Sequence, residues 1–75
     1  EKIVISSVIN DRLDIYLANE IASKIEILNL TGKSEMSIEN KSGFITVDCS
    51  NLNNDIYIVR ITTSNDVIMK KVIKK

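Results

Sequence analysis

The chain has 75 residues, with ten cationic and ten anionic side chains, one cysteine and no histidine, proline or tryptophan. A length of this order holds one domain, 1–75, and hides only about 60% of the unfolded chain's surface. Zero net charge argues against a nucleic-acid module; a lone cysteine builds neither a disulfide framework nor a cysteine zinc site; and the lack of histidine removes the usual catalytic base.

No apolar run approaches the roughly 18 residues of a membrane span, and no signal-peptide pattern opens the chain. Because it begins with Glu1, the segment is expected to be a piece of a larger protein. Fourteen isoleucines and six valines make 20 of the 75 residues β-branched aliphatics, against five leucines and two alanines. Two substituents on Cβ suit a pleated surface better than a helix.

In chain order, seven short strands are expected, at about 2–9, 12–18, 23–30, 33–39, 44–49, 55–63 and 66–74. Leu13, Ile15 and Leu17 alternate with polar neighbours, as do Ile25 and Ile27, Met36 and Ile38, and Ile45, Val47 and Cys49. Period-two alternation marks strands with one face on a core and one in water. Turn formers punctuate them: Asn10-Asp11, Asn19-Glu20, Thr31-Gly32, Asn40–Gly43, Asn51–Asn54 and Asn65-Asp66. Ile56–Ile61 is apolar at both parities, as a central strand would be. A helix over Leu17–Leu30 is rejected, because it would turn Ile25 and Ile27 to nearly opposite sides. The reading is an all-β, antiparallel sandwich or barrel without linker or repeat.

The chemistry-bearing residues converge nowhere. Asp11, Asp14, Glu20, Glu26, Glu35, Glu39, Asp48 and Asp55 are scattered, mostly at solvent-facing parities, whereas acid–base catalysis needs paired groups in a cleft. Asp48, Asn51, Asn53, Asn54 and Asp55 offer hard oxygen donors for calcium, but in no twelve-residue calcium-loop spacing; turn formation is the better account. Cys49 reads as a small buried hydrophobe, and Asn29-Leu30-Thr31 formally matches a glycosylation pattern that arises readily by chance. No cofactor, metal or catalytic residue is expected. The charge does divide: the last ten residues carry Lys70, Lys71, Lys74 and Lys75 against Asp66, a net of +3, and residues 1–65 carry −3. That basic end suits either an anionic partner or protection of an exposed strand edge.

The order of short segments resembles the C-terminal sorting domain of proteins exported by the type IX (Por) secretion system of Bacteroidetes. Asp11–Ile15 resembles its opening strand, and Ile25–Lys33 the stretch in which an apolar strand ends in a glycine turn. Val47–Leu52 followed by Ile56–Ile61 is similar to its short strand, turn and aromatic-bearing strand. Lys70–Lys75 resembles its basic ending. Together these cover about residues 9–75. Two departures stand out. Ser6-Ser7-Val8 occupies the place of a Pro-Asn-Pro element, and Asp55 the place of a glycine before the Ile-Tyr pair. Asp is among the more tolerant residues of positive φ, so the turn can survive the second change.

The resemblance implies a seven-stranded immunoglobulin-like sandwich that is an address and not an enzyme. It implies a cargo exported through the periplasm to the outer-membrane surface or beyond. The partners it implies are the type IX translocon and a sortase-like cysteine protease that joins cargo to anionic lipopolysaccharide, cutting near or before residue 1. Lys70, Lys71, Val72, Ile73, Lys74 and Lys75 are expected to be recognised, and Gly32, Leu52 and Tyr57 to maintain the shape. One rival is the same domain retained uncleaved on the secretion or attachment machinery, binding anionic lipopolysaccharide or its protease. A generic adhesive or carbohydrate-binding sandwich is a weaker rival, since only Tyr16, Phe44 and Tyr57 are aromatic. Exposed edges make a strand-swapped homodimer the expected form of self-association.

Overall fold

The computed structural model describes residues 3–75. They form six strands: β1 (Ile3–Ile5), β2 (Val8–Ile9), β3 (Arg12–Leu28), β4 (Ser34–Asp48), β5 (Ile56–Thr63) and β6 (Val67–Lys74). The count of seven is thereby corrected. Segments 12–18 and 23–30 run on as β3, and 33–39 and 44–49 as β4, while 2–9 breaks at Ser6-Ser7 into β1 and β2 (its first residue, Lys2, lies outside the described residues). All pairings are antiparallel except β2 with β6, which is parallel.

The two long strands carry the architecture. At about 3.3 Å per residue, the 17 residues of β3 would extend about 55 Å, yet the longest dimension of the molecule is 31 Å. The strand must bend, and the register shows where. Leu17 pairs with Gly43 and Ile21 with Ser42, so Ala18, Asn19 and Glu20 have no partner on β4. Asn19 (φ 62), Asn40 (φ 57) and Gly43 (φ 73) take left-handed backbone around this offset. The turn formers are thus where the chain departs from regular strand, but the departure is a bulge that bends the ladder without ending it.

An odd offset also exchanges the faces. On β4 the core side chains are Met36 and Ile38 before the bend and Ile45 and Val47 after it; on β3 they pass from Leu13, Ile15 and Leu17 to Ala22, then to Ile25 and Ile27 after a second shift beside β5. The result is one curled sheet, half of a barrel. One half holds β1, the start of β3 and the end of β4; the other holds the rest of β3 and β4 with β5, β6 and β2. Between them lies a core in which Leu13, Ile15, Ala22, Cys49, Val59, Ile61 and Val72 are fully buried. As its two-sided apolarity suggested, β5 lies between β3 and β6.

The β3–β4 connection shows how local chemistry closes the hairpin. Asn29 Oδ1 accepts hydrogen bonds from the Thr31 N–H (3.0 Å), the Thr31 hydroxyl (2.6 Å) and the Lys33 N–H (3.0 Å), and Asn29 Nδ2 donates to Glu35 (3.0 Å). Gly32 completes the turn at φ +92, with nothing within 4 Å of where a Cβ would stand. The demand for glycine is therefore one of backbone conformation, not of space. Gly32→Ala should lower stability by about 1–2 kcal/mol, read as an earlier urea midpoint with an unchanged slope.

Candidate functional site

The terminal strand holds its place by alternation. In β6, Ile68, Lys70, Val72 and Lys74 turn toward the core side, and Val67, Met69, Lys71 and Ile73 turn outward. The basic block expected to be recognised is thus split by parity. Val72 is fully buried and packs with Tyr57, its cross-strand partner; Lys74 is 6% exposed, opposite Ile9. Lys70 lies opposite Val59, and its ammonium donates to the Ile5 carbonyl of β1 at 2.9 Å. Its alkyl stem thus runs over apolar neighbours while the charge finds an oxygen on the other half of the molecule. Only Lys71, Ile73 and Lys75 remain exposed from the block Lys70–Lys75.

Backbone bonds fix the same strand at its end. The Ile73 N–H donates to Ser7 O (2.9 Å), the Lys74 N–H to Asp55 O (2.8 Å) and the Lys75 N–H to Ile9 O (2.9 Å). The segment preceding β3 therefore holds the outer side of the last residues. Beyond that short contact, no strand among the described residues lies beside the outer edge of β6 over Val67–Val72. Outward neighbours on β5 extend the exposed face: Ile56 stands opposite Ile73, Ile58 opposite Lys71, and Arg60 opposite Met69. The surface is a mixture of aliphatic and cationic groups. Arg60 is engaged, through Nε and Nη2 at 2.8 Å, with Glu26, whose other oxygen lies 3.7 Å from Lys24. Glu26, at 6% exposed, is thus a carboxylate closed by two cations.

The residues expected to maintain the shape lie apart from that face. Tyr57 is buried on β5, and its hydroxyl donates to Asn53 O at 2.8 Å, tying the strand to the turn before it. Leu52 packs on the core's margin, and its N–H closes the turn onto Cys49 O at 3.0 Å. In the loop weighed for calcium, both carboxylates bond the neighbouring backbone: Asp48 Oδ1 accepts from the Ser50 N–H (2.9 Å) and Asp55 Oδ1 from the Ile56 N–H (2.8 Å). Among the described residues, no three metal-ligating groups converge. Cys49 is fully buried, and that burial, with the nearby charge of Asp48, pushes its thiol above 9.0. Sequence reasoning missed the work of Asn29, which it treated only as part of a glycosylation pattern. An Asn three residues before a turn glycine, between alternating strands, was the available signal.

Two measurements check these local roles. Tyr57→Phe should cost about 1 kcal/mol in urea unfolding, because Asn53 O loses its donor while the ring stays packed. The Ser50 hydrogen bonds hold the Asp48 carboxyl below 3.8. Unfolding returns it to the ordinary value, so its contribution to stability is complete above pH 3.8 and disappears as pH falls through the lower, folded value. Asp48→Asn should therefore flatten the decline of the urea midpoint as pH falls below 3.8.

Residues 9–75 match the family model described as the secretion system C-terminal sorting domain. No curated protein matches the chain. Since the matched span runs from the end of β2 through β6, taking in the Asn29–Lys33 turn, Tyr57 and the terminal lysines, the chain belongs to the C-terminal sorting domains of the type IX secretion system.

Proposed function

We propose that the translocon reads this sorting domain on the outward face of β6, through Lys71, Ile73 and Lys75. Sorting through type IX secretion takes the attached cargo to the cell surface or releases it. The observation that carries the finer reading is the parity of the terminal strand. Lys70, Val72 and Lys74 hold β6 to the rest of the domain, which leaves the other three side chains to meet a partner. A mixed aliphatic and cationic surface suits an anionic partner with apolar ground between its charges, and complementary charge contributes chiefly to encounter and selectivity. The domain acts here as ligand and substrate, with no catalytic role. A sortase-like cysteine protease would act near or before residue 1, after passage through the periplasm.

The immunoglobulin-like reading has support of its own. The two halves of the bent sheet enclose one core, and the Tyr57 hydroxyl reaches back to Asn53 as the tyrosine corner does in sandwiches of that class. On such a frame the bends would divide the long β3 and β4 into two strands each, and β1 with β2 would count as one, giving seven. The rival in which a retained domain binds anionic lipopolysaccharide uses the same exposed Lys71 and Lys75, so one experiment addresses both.

Deletion of Lys70–Lys75 from a cargo fusion should leave the cargo in the periplasm, but it also removes Val72 and the Lys70 contact that support the fold. The sharper variant is Lys71→Glu with Lys75→Glu, both at exposed positions. Surface display should fall about tenfold while the isolated domain keeps its urea midpoint. Undiminished display by that variant sinks the proposal. Normal arrival at the surface with loss of attachment there transfers the face to lipopolysaccharide.

A further inference from the structure

Among the described residues, the 15 residues of β4 pair along one side only, with β3. On the other side the half-barrel stays open, and a groove of about 510 Å³ runs along that edge. Both faces of β4 contribute to it. From the core side come Met36 and Ile38, which pack against the core yet are only partly buried, with Ile45 and Val47. From the outer side comes Phe44, the most exposed large apolar residue, at 71%. Phe44 also ends a row. Val4 pairs with Tyr16, and Tyr16 with Phe44, so three apolar side chains lie abreast across β1, β3 and β4, with the two rings in edge contact at 6.4 Å. The row stops at the open edge. So, on the other face, does the row of Ile61, Ile25 and Ile38.

Two apolar rows that stop at a strand edge are what a sheet one strand short looks like. Edges of monomers are commonly guarded by charge, and here the guard has a sign. Glu35, Glu39 and Asp48 stand on β4 against Lys41 alone, a net of −2.

We infer that β4 is the acceptor edge for an extended, cationic segment of a partner protein, which adds as a strand beside Ser34–Asp48. Backbone hydrogen bonds would hold that segment irrespective of sequence, and its alternate side chains would supply selectivity. Apolar residues would cover Ile38 and Ile45 on one face and Phe44 on the other, and basic residues would meet Glu35, Glu39 and Asp48. A second copy of this chain is the poorer occupant, because its β4 would set an acidic edge against an acidic edge. This edge lies away from the outward face of β6, so the inference stands or falls apart from the export reading.

The test uses the 75-residue chain and a synthetic peptide of alternating lysine and valine, blocked at both ends, with a block-ordered peptide of the same composition as control. Amide hydrogen exchange followed by NMR should show new protection within residues 34–48, and none confined to β6, with the alternating peptide only. Glu35→Lys with Glu39→Lys should weaken binding about fivefold, and Phe44→Thr should weaken it separately; both substitutions fall at exposed positions. Equal binding of the block-ordered peptide would reduce the edge to nonspecific charge attraction and overturn the inference. So would no binding of either peptide, protection that maps to β1 or β6, or a concentration-dependent dimer, seen by sedimentation, that Phe44→Thr abolishes.

Discussion

The three-residue offset between β3 and β4 is the constraint on which the molecule depends. A 75-residue chain can enclose little, and two flat strands of 17 and 15 residues would enclose nothing. By leaving Ala18, Asn19 and Glu20 unpaired opposite the Ser42–Gly43 step, the ladder turns through the bend while both strands stay hydrogen-bonded on either side. Each strand thereby serves both halves of the core. The odd count matters as much as the bend, because it changes which parity faces inward. An even insertion would leave one half presenting its polar side chains to the other.

This arrangement places the terminal strand. β5 docks on the second half of β3, β6 docks on β5, and the two inner faces then stand close enough for a lysine on β6 to reach a carbonyl on β1. Positive charge on β6 consequently has two environments. Lys70 and Lys74 turn to the core side and Lys71 and Lys75 to solvent, an alternation that any strand would impose on a Lys-Lys-x-x-Lys-Lys pattern. Packed and exposed lysines are neighbours in sequence and strangers in space.

Most of the core was legible from the chain itself. Leu13, Ile15, Leu17, Ile25, Ile27, Ile45, Val47 and Cys49 are buried as period-two alternation implies, and the Asn65-Asp66 hairpin falls where its turn formers stand, with the Thr63 N–H donating to Asp66 O at 2.8 Å. The strand count was not legible. Asn19, Asn40 and Gly43 adopt the positive φ their chemistry favours, yet a turn that reverses the chain and a bulge that bends it draw on the same residues. Only the long-range pairing of the flanking segments distinguishes the two. Phe44 and Tyr16 were misleading in another way. Exposure of two of the three aromatics is invisible to composition, because alternation identifies a face without saying whether another layer covers it. For function, the order of segments carried what no single residue could. A surface read by a partner has no distinctive chemistry of its own, so an audit for acids, bases and metal ligands passes over it.

The short parallel contact between β2 and β6 bears on what happens when the domain is under load. Residues Ser7–Ile9 lie on the side of the chain that leads to whatever precedes it, and they grip Ile73 and Lys75, almost the last residues. In a parallel pair, tension applied upstream of Val8 and opposed at Lys75 slides the strands along each other. Their hydrogen bonds then bear the force together and do not open one at a time. Mechanical failure is governed by the rate of unfolding and not by equilibrium stability, so this small clasp is loaded in shear whenever the chain is pulled between Val8 and Lys75.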